Sequence, residues 1–261
     1  MENLIWFKIA FTIKNSRFNE KFTDEPNVSV INSIIKWVST KSESNTPVFR
    51  LETKYYSAKS FKNETIKVEL VLYDHATKIE RWVQELKKYF NQKDKRINFY
   101  LADEPDVQIR SLNHLYKEYE MICNSNQFCL HFHSPLPLFE KTRDKYVYKT
   151  LISGAVTRLN RIFKIDLNRE DFKAIEEIEV NSNFQYYTRG QIHTSKSSNS
   201  KQKQWLKGFV GPLYIRGKCD AIVPILLLAT EWHLGPQISN SMGYFTLSNE
   251  SIPSDKKMNE I

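Results

Sequence analysis

One order of elements occurs twice in this chain, and it constrains the fold more than any other feature. In the first half, Leu4 to Ile13 is β-rich, and Asn27 stands where it can cap a helix burying Ile31, Ile34, Ile35 and Val38 on one face. Val48 to Tyr56 and Thr65 to Tyr73 read as strands joined by a polar turn at Lys62-Asn63-Glu64. Thr77 and Glu80 have capping-box spacing ahead of a helix that buries Ile79, Trp82, Val83, Leu86 and Phe90. A strand over Ile97 to Leu101 completes the set, and the stretch from there to Cys123 has no clear pattern.

The second half follows the same order. Phe128, Leu130 and Phe132 alternate with Cys129, His131 and His133, the pattern of a half-buried strand, which Ser134-Pro135-Leu136-Pro137 ends. Tyr148, Leu151, Ile152, Ala155, Leu159 and Ile162 form a helical stripe, with Arg158, Arg161 and Lys164 on or near its exposed side. Ile178 to Tyr187 and Trp205 to Ile215 read as strands joined by a long polar loop. Asp220 stands where it can cap a buried helix whose Pro224 must sit in the first turn, and Met242 to Leu247 is a last strand. Two successive βαββαβ units predict an α+β fold of two tandem ferredoxin-like (RRM-like) domains, residues 1–122 and 123–250, with a flexible tail over 251–261. No sequence repeat links the halves.

Glycine and charge separate them. The first 150 residues contain no glycine; all seven lie between Gly154 and Gly243. Glycine permits positive φ and close approach of backbone to a ligand, so the second half has backbone chemistry that the first lacks. The net charge is +8. From Glu179 to Asp220 there is no acidic residue between those two, while Arg189, Lys196, Lys201, Lys203, Lys207, Arg216 and Lys218 fall there. Such a one-sign block attracts polyanions. Phe184, Tyr186, Tyr187, Trp205, Phe209 and Tyr214 are interleaved with it, and unpaired bases stack on such rings. A solvated loop flanked by core aromatics is the alternative.

Three cysteines (Cys123, Cys129, Cys219) with no CxxC spacing suggest neither a disulfide framework nor a zinc ribbon, and fit a reducing cytoplasmic setting. The longest apolar run, Ala221 to Ala229, is too short to span a bilayer and contains Pro224. The start of the sequence reads as no secretion signal. There is no Walker loop, GxSxG or HExxH, and Gly208, Gly211 and Gly217 are too widely spaced for a dinucleotide fingerprint, so no cofactor is expected.

Two segments carry a resemblance. One is Phe128-Cys129-Leu130-His131-Phe132-His133-Ser134-Pro135-Leu136-Pro137-Leu138 with the helix at Tyr148 to Phe163. The other runs from Trp205-Leu206-Lys207-Gly208-Phe209-Val210-Gly211-Pro212 through Arg216-Gly217 and an apolar helix to His233-Leu234-Gly235-Pro236-Gln237-Ile238-Ser239-Asn240-Ser241-Met242-Gly243-Tyr244-Phe245. Together, over residues 128–248, they resemble the C-terminal half of the CRISPR-associated endoribonucleases of the RAMP superfamily, which cut precursor CRISPR RNA. The resemblance implies two ferredoxin-like domains and a glycine-rich loop before the last strand. It also implies metal-free cleavage within the CRISPR repeat, with the bound product passing to an effector complex. The chain departs from the family in the loop. Pro236 and Gln237 stand where relatives carry a basic residue after Gly235, and Ser241-Met242-Gly243 replaces a Gly-x-Gly.

Metal-free RNA cleavage needs a base for the 2′-hydroxyl and an acid for the departing 5′-oxygen, and histidine serves either step near neutral pH. His233 ends the buried helix, opens the glycine loop and matches a histidine common in the resembling family; it is the first catalytic candidate, the alternative being a histidine that interacts with the helix dipole. His193, in the basic stretch near Arg189 and Lys196, is the second, or else a solvated loop residue. Arg189, Lys196, Lys201, Lys203, Lys207 and Arg216 are the candidates for phosphate binding, and Gly208, Gly211, Gly235, Gln237, Ser239 and Gly243 for backbone contact with RNA. Many relatives keep a catalytic histidine early in the N-terminal domain; here none precedes His75, and His75 and His114 read as structural or surface residues. Cys129, His131 and His133 share a strand face, but no further ligand or acidic partner is adjacent in sequence, so the face is expected to line the cleft between domains or contact RNA rather than bind metal. The expected activity is an endoribonuclease acting on CRISPR repeat RNA, with other CRISPR effector subunits as partners and no membrane. The alternatives are a non-catalytic CRISPR-RNA-holding subunit and a general RNA chaperone or ribosome-associated protein.

Overall fold

The computed structural model describes residues 4–15, 28–51, 65–92, 99–123, 125–137, 146–165, 167, 179–194, 201–217, 220–235 and 242–251. Asn27, the turn at Lys62 to Glu64, Lys196, Lys218, Gln237, Ser239 and the tail from residue 252 lie outside them.

The first half contains β1 (Ile5–Asn15), α1 (Val28–Ser42), β2 (Val48–Leu51), β3 (Thr65–Leu72), α2 (Ala76–Asn91), β4 (Phe99–Leu101), β5 (Asp106–Ser111), α3 (Leu112–Glu118) and α4 (Glu120–Cys123). Its antiparallel sheet has the order β2-β3-β1-β4, and β5 also pairs with β1. Period-2 alternation decides the faces. Ile9, Phe11 and Ile13 of β1 and Ile66, Val68, Leu70 and Leu72 of β3 form one core with Ile31, Ile34, Ile35 and Val38 of α1 and Ile79, Trp82, Leu86 and Phe90 of α2. Trp82 Nε1 donates to Ser39 Oγ at 3.1 Å, tying the two helices inside that core.

The second half contains β6 (Gln127–Leu136), α5 (Tyr146–Phe163), β7 (Glu179–Ser182), β8 (Gln185–Thr194), β9 (Lys201–Arg216), α6 (Val223–Trp232) and β10 (Phe245–Ser248). Its antiparallel sheet has the order β10-β6-β9-β7, and β8 also pairs with β9. In the first sheet β1 lies between β3 and β4, and in the second β6 lies between β9 and β10 while β7 and β8 share the other edge of β9, the ferredoxin-like arrangement. The architecture is α+β, with two tandem ferredoxin-like domains.

One apolar cluster crosses between the halves. Trp6, Val48 and Val71 of the first sheet and Leu112 and Leu115 of α3 join the core of β6, α5 and α6. Phe163 sits at the junction, its ring centroid 4.7 Å from that of Tyr73 and 5.4 Å from that of Trp232. Helix α6 is buried from Val223 to Trp232 apart from the partly exposed Pro224, as its near-continuous apolar sequence requires.

Several local expectations differ from the structure. Helix α2 starts at Ala76 with His75 as N-cap and no side-chain cap, so the Thr77/Glu80 box does not form. Helix α6 has Ile222, not Asp220, at its N-cap, with Pro224 in the first turn. The region after Leu101 is not patternless: β5 pairs with β1 over Asp106–Ser111, and α3 and α4 follow. Strand β6, by contrast, ends at Leu136, inside the Ser134–Pro137 segment expected to end it. The polar linker expected between Tyr187 and Trp205 is largely strand: β8 and β9 pair from Gln185↔Val210 to Thr194↔Lys201.

Candidate nucleic-acid interface

The register of the β8–β9 hairpin sorts the basic block. Lys201, Lys203, Trp205 and Lys207 occupy alternate positions of β9, opposite Thr194, Ile192, Gly190 and Thr188. Arg189 and His193 hold positions of the other face, opposite Leu206 and Gln202. Arg216 lies at the far end of β9, paired with Gln127 and Glu179, roughly 50 Å along the strand from Lys201. The cations therefore form a row of three lysine positions on one face, Arg189 and His193 on the other, and Arg216 apart from both.

The hairpin meets the glycine-rich segment at Pro135–Leu136. The β6–β9 register shifts between Phe132↔Gly211 and Leu136↔Phe209, because four residue steps of β6 span two of β9. Pro135 has no N–H to give to the ladder, and the bulge absorbs it. Three glycines converge here. A Cβ on Gly208 would lie 2.7 Å from the Leu136 carbonyl oxygen, and one on Gly235 would lie 2.8 Å from Leu136 Cδ1. Gly243 N donates to the Pro135 carbonyl at 3.0 Å. A Cβ on Gly243, at φ +73°, would fall 1.7 Å from the Leu234 carbonyl oxygen, so only glycine fits. Gly211, at φ +117°, passes close to the Asn183 carbonyl.

The neck of the glycine loop is closed from two sides. Leu234 N donates to the Gly243 carbonyl at 3.0 Å, and the Arg158 guanidinium reaches from α5 to the carbonyls of Trp232 (3.3 Å), His233 (2.7 Å) and Gly235. The carbonyls of Trp232 and His233 are among those that the end of α6 leaves without helical partners, and Gly235 lies in the loop just beyond. Burial, then Arg161, lowers the Arg158 pKa to about 10, still high enough to keep it charged at neutral pH. The helical stripe alone places Arg158 on or near the exposed side; in the structure it is partly buried, and its partners lie 74 to 77 residues further along the chain, beyond the reach of any local pattern.

His233 is part of this neck. It is the C-cap of α6 at φ 59°, a strained conformation for a non-glycine residue, and its carbonyl is held by Arg158. It is 2% exposed, and its Nδ1 lies 3.3 Å from the Met242 carbonyl. Burial, followed by the Arg50 charge, drives its pKa down to about 3; the bond to Met242 opposes this, and Arg158 adds to it. The ring is neutral and enclosed at physiological pH, not open beside a bound phosphate as its sequence position suggests. His193 stands in the hairpin opposite Gln202.

A second polar group lies where the first sheet faces the start of β10. Arg50 of β2 is paired with Glu69, and its guanidinium carbon sits 4.7 Å from the Tyr244 ring centroid. Lys8 and Lys67 also approach Glu69, at 3.6 and 3.8 Å. Burial works to raise the Glu69 carboxyl, and Arg50 and Lys8 outweigh it and hold the group below its ordinary value. His133 packs on Tyr244 at 5.5 Å, and its Nε2 is 2.7 Å from Thr246 Oγ1. Burial, then His131 and Arg50, lowers its pKa. Unlike His233, His133 is only half-buried. Neither Arg50 nor Tyr244 was a sequence candidate, and their meeting comes from the packing of one domain on the other.

No helix among the described residues is long and apolar enough to cross a membrane. The sequence matches no family model and no curated protein. Solved structures do resemble it. A Cas6 bound to a substrate mimic matches with a TM-score of 0.57 and 13% identity, over 94% of this chain and 99% of that one. Thermus thermophilus Cas6 matches at 0.56 and 12%, over 94% and 98%. A partial Cas6-RT-Cas1–Cas2 complex matches at 0.60 and 10%, over 94% of this chain and 46% of the other. At this level of identity the likeness speaks to architecture: the chain has the fold of the Cas6 and RAMP proteins of CRISPR systems.

Proposed function

We propose that this protein binds CRISPR repeat RNA and cleaves it as a metal-independent endoribonuclease. The observation that carries the reading is the convergence at Pro135–Leu136 of the lysine-bearing hairpin, through Gly208, and the glycine-loop neck, through Gly235 and Gly243. A polyanionic strand crossing there meets the hairpin that carries Lys201, Lys203 and Lys207 on one side and the neck at Gly235 and Gly243 on the other, with Gln237 and Ser239 between those glycines in sequence. Arg189, Lys196 and Arg216 add charge along the same half, and Gly211 admits close backbone approach. Two of the matched solved structures bear on this: one Cas6 is bound to a substrate mimic, and another belongs to an assembly with Cas1–Cas2. Assembly with further CRISPR proteins is part of the proposal.

In the proposed reaction a base takes the proton of the 2′-hydroxyl, and the oxygen attacks the adjacent phosphorus. The P–O5′ bond breaks, and an acid returns a proton to O5′, leaving a 2′,3′-cyclic phosphate and a 5′-hydroxyl. The half-buried His133, which precedes Pro135 on β6, is assigned a proton transfer. His193, opposite Gln202 and roughly 30 Å along β9 from Gly211, is assigned to contact RNA along the hairpin rather than to share the same phosphate. His233, neutral and enclosed, is assigned to hold the loop neck rather than to touch substrate. The test is incubation of 5′-labelled repeat RNA with the full chain in excess chelator. Cyclic-phosphate ends are expected, with cutting at least about tenfold slower in His133→Ala and weaker repeat-RNA binding in His193→Ala. Full activity in His133→Ala, or 3′-hydroxyl products, would sink the mechanism. The enclosure of His233 favours a second reading, a subunit that holds CRISPR RNA without cutting it; tight binding with intact RNA after long incubation would establish that instead.

A further inference from the structure

In the second sheet, Cys129 and His131 of β6 stand two residues apart and therefore on one side of the strand. Sequence spacing supplies them with no acidic partner. The fold supplies one. Strand β10 runs antiparallel to β6 with Ser248 opposite Cys129, and the chain just beyond it brings Glu250 over the pair. Glu250 Oε2 lies 3.1 Å from His131 Nε2. The Cys129 sulfur, a His131 ring nitrogen and a Glu250 oxygen all lie within 4.8 Å of one another. Ligand atoms at about 2.0–2.3 Å from a zinc ion are of necessity some 3–4 Å apart, so small side-chain adjustments close the set. Beside it, Ser248 Oγ is buried with no hydrogen-bond partner, so the site carries unsatisfied polarity.

We propose that Cys129, His131 and Glu250 form a binding site for a divalent zinc-like cation, with solvent completing the tetrahedron. Mixed thiolate, imidazole and carboxylate donors suit zinc rather than magnesium or calcium, which take oxygen ligands. The cation replaces the thiol proton, and two anionic ligands neutralise its charge. Its role is a clip that fixes the end of β10 against β6, separate from the RNA chemistry proposed above.

The site is tested by titrating the chelator-treated full-length protein with cobalt(II), whose bond to a thiolate gives a near-ultraviolet charge-transfer band. One equivalent is expected to bind with that band, and zinc is expected to displace it. Cys129→Ser removes the band. His131→Gln and Glu250→Gln, at accessible positions that leave the core intact, weaken binding at least about tenfold. Absence of the band in the unaltered chain overturns the proposal, and so does a band that persists in Cys129→Ser, which would place the thiolate at Cys123 or Cys219, or one unchanged in both His131→Gln and Glu250→Gln. Cleavage by Glu250→Gln in chelator keeps this outcome distinct from the ribonuclease reading, because that variant lacks the clip from the start.

Discussion

The two halves share a strand order and differ in glycine. The first builds its sheet, with β1 between β3 and β4, from a sequence without a single glycine. The second builds the same plan and has all seven. The fold itself therefore does not need glycine. What needs it is the material added to the second half: the bulge at Pro135, the hairpin that passes Leu136, and the neck at Leu234–Gly243. The first half uses its sheet for a fixed charge network of Lys8, Arg50, Lys67 and Glu69; the second uses close backbone contact. Conformational permissiveness marks the part of the molecule to which the proposed reading assigns RNA.

That contrast is open to measurement. Gly243→Ala has the largest expected effect: more than about 4 kcal/mol of stability lost in urea denaturation, from a Cβ driven into the Leu234 carbonyl. A variant as stable as the parent would break the comparison. Acid sensitivity comes next. Between the ordinary histidine value and about 3, the unfolded chain binds a proton that buried His233 refuses, so stability falls as pH falls through that window. The slope is about 1.4 kcal/mol per pH unit, and His233→Gln should flatten it. Denaturation midpoints at pH 7 and pH 5 check the sign. Among the described residues the first half holds no buried histidine and contributes nothing of this kind.

Arg158→Ala should cost about 2–3 kcal/mol and weaken repeat-RNA binding, since the neck carbonyls lose their donor. Arg158→Lys should not restore it, because a single ammonium cannot fork across the carbonyls. Equal RNA affinity in both variants would show that the neck does not shape the loop. The smallest effect is a gain. Gly154 lies exposed in α5, and a Cβ there would meet nothing within 4 Å, so Gly154→Ala should stabilise the chain by up to about 1 kcal/mol. Such a gain, read as a higher urea midpoint, would show that one of the seven glycines serves neither fold nor site.

Most of the fold was legible wherever one face of an element is buried. The α1 stripe of Ile31, Ile34, Ile35 and Val38 and the β6 alternation of Phe128, Leu130 and Phe132 lie in the core as their spacing indicates. Strand β5 escaped because Asp106, Val107, Gln108 and Ile109 are all exposed, which leaves no alternation to read. The outer hairpin escaped for a related reason: its strand residues are mostly polar, and composition alone reads them as loop. At the site, the glycines pointed to the half in which the close backbone contacts form. The fate of His233 was not legible, since it is set by Arg158, Met242 and Arg50, which reach it from other parts of the chain.

Strand β9 pairs with β6 only from Phe209 onward, and from Lys201 to Gly208 its one partner among the described strands is β8. A ribbon of two strands winds more steeply about its own axis than a broad sheet does. The lysine positions along it therefore climb as a spiral stair rather than lying in a plane. On the proposed reading, a nucleic-acid backbone that follows them would have to turn as it advances, which would favour a pliable single strand over a stiff duplex.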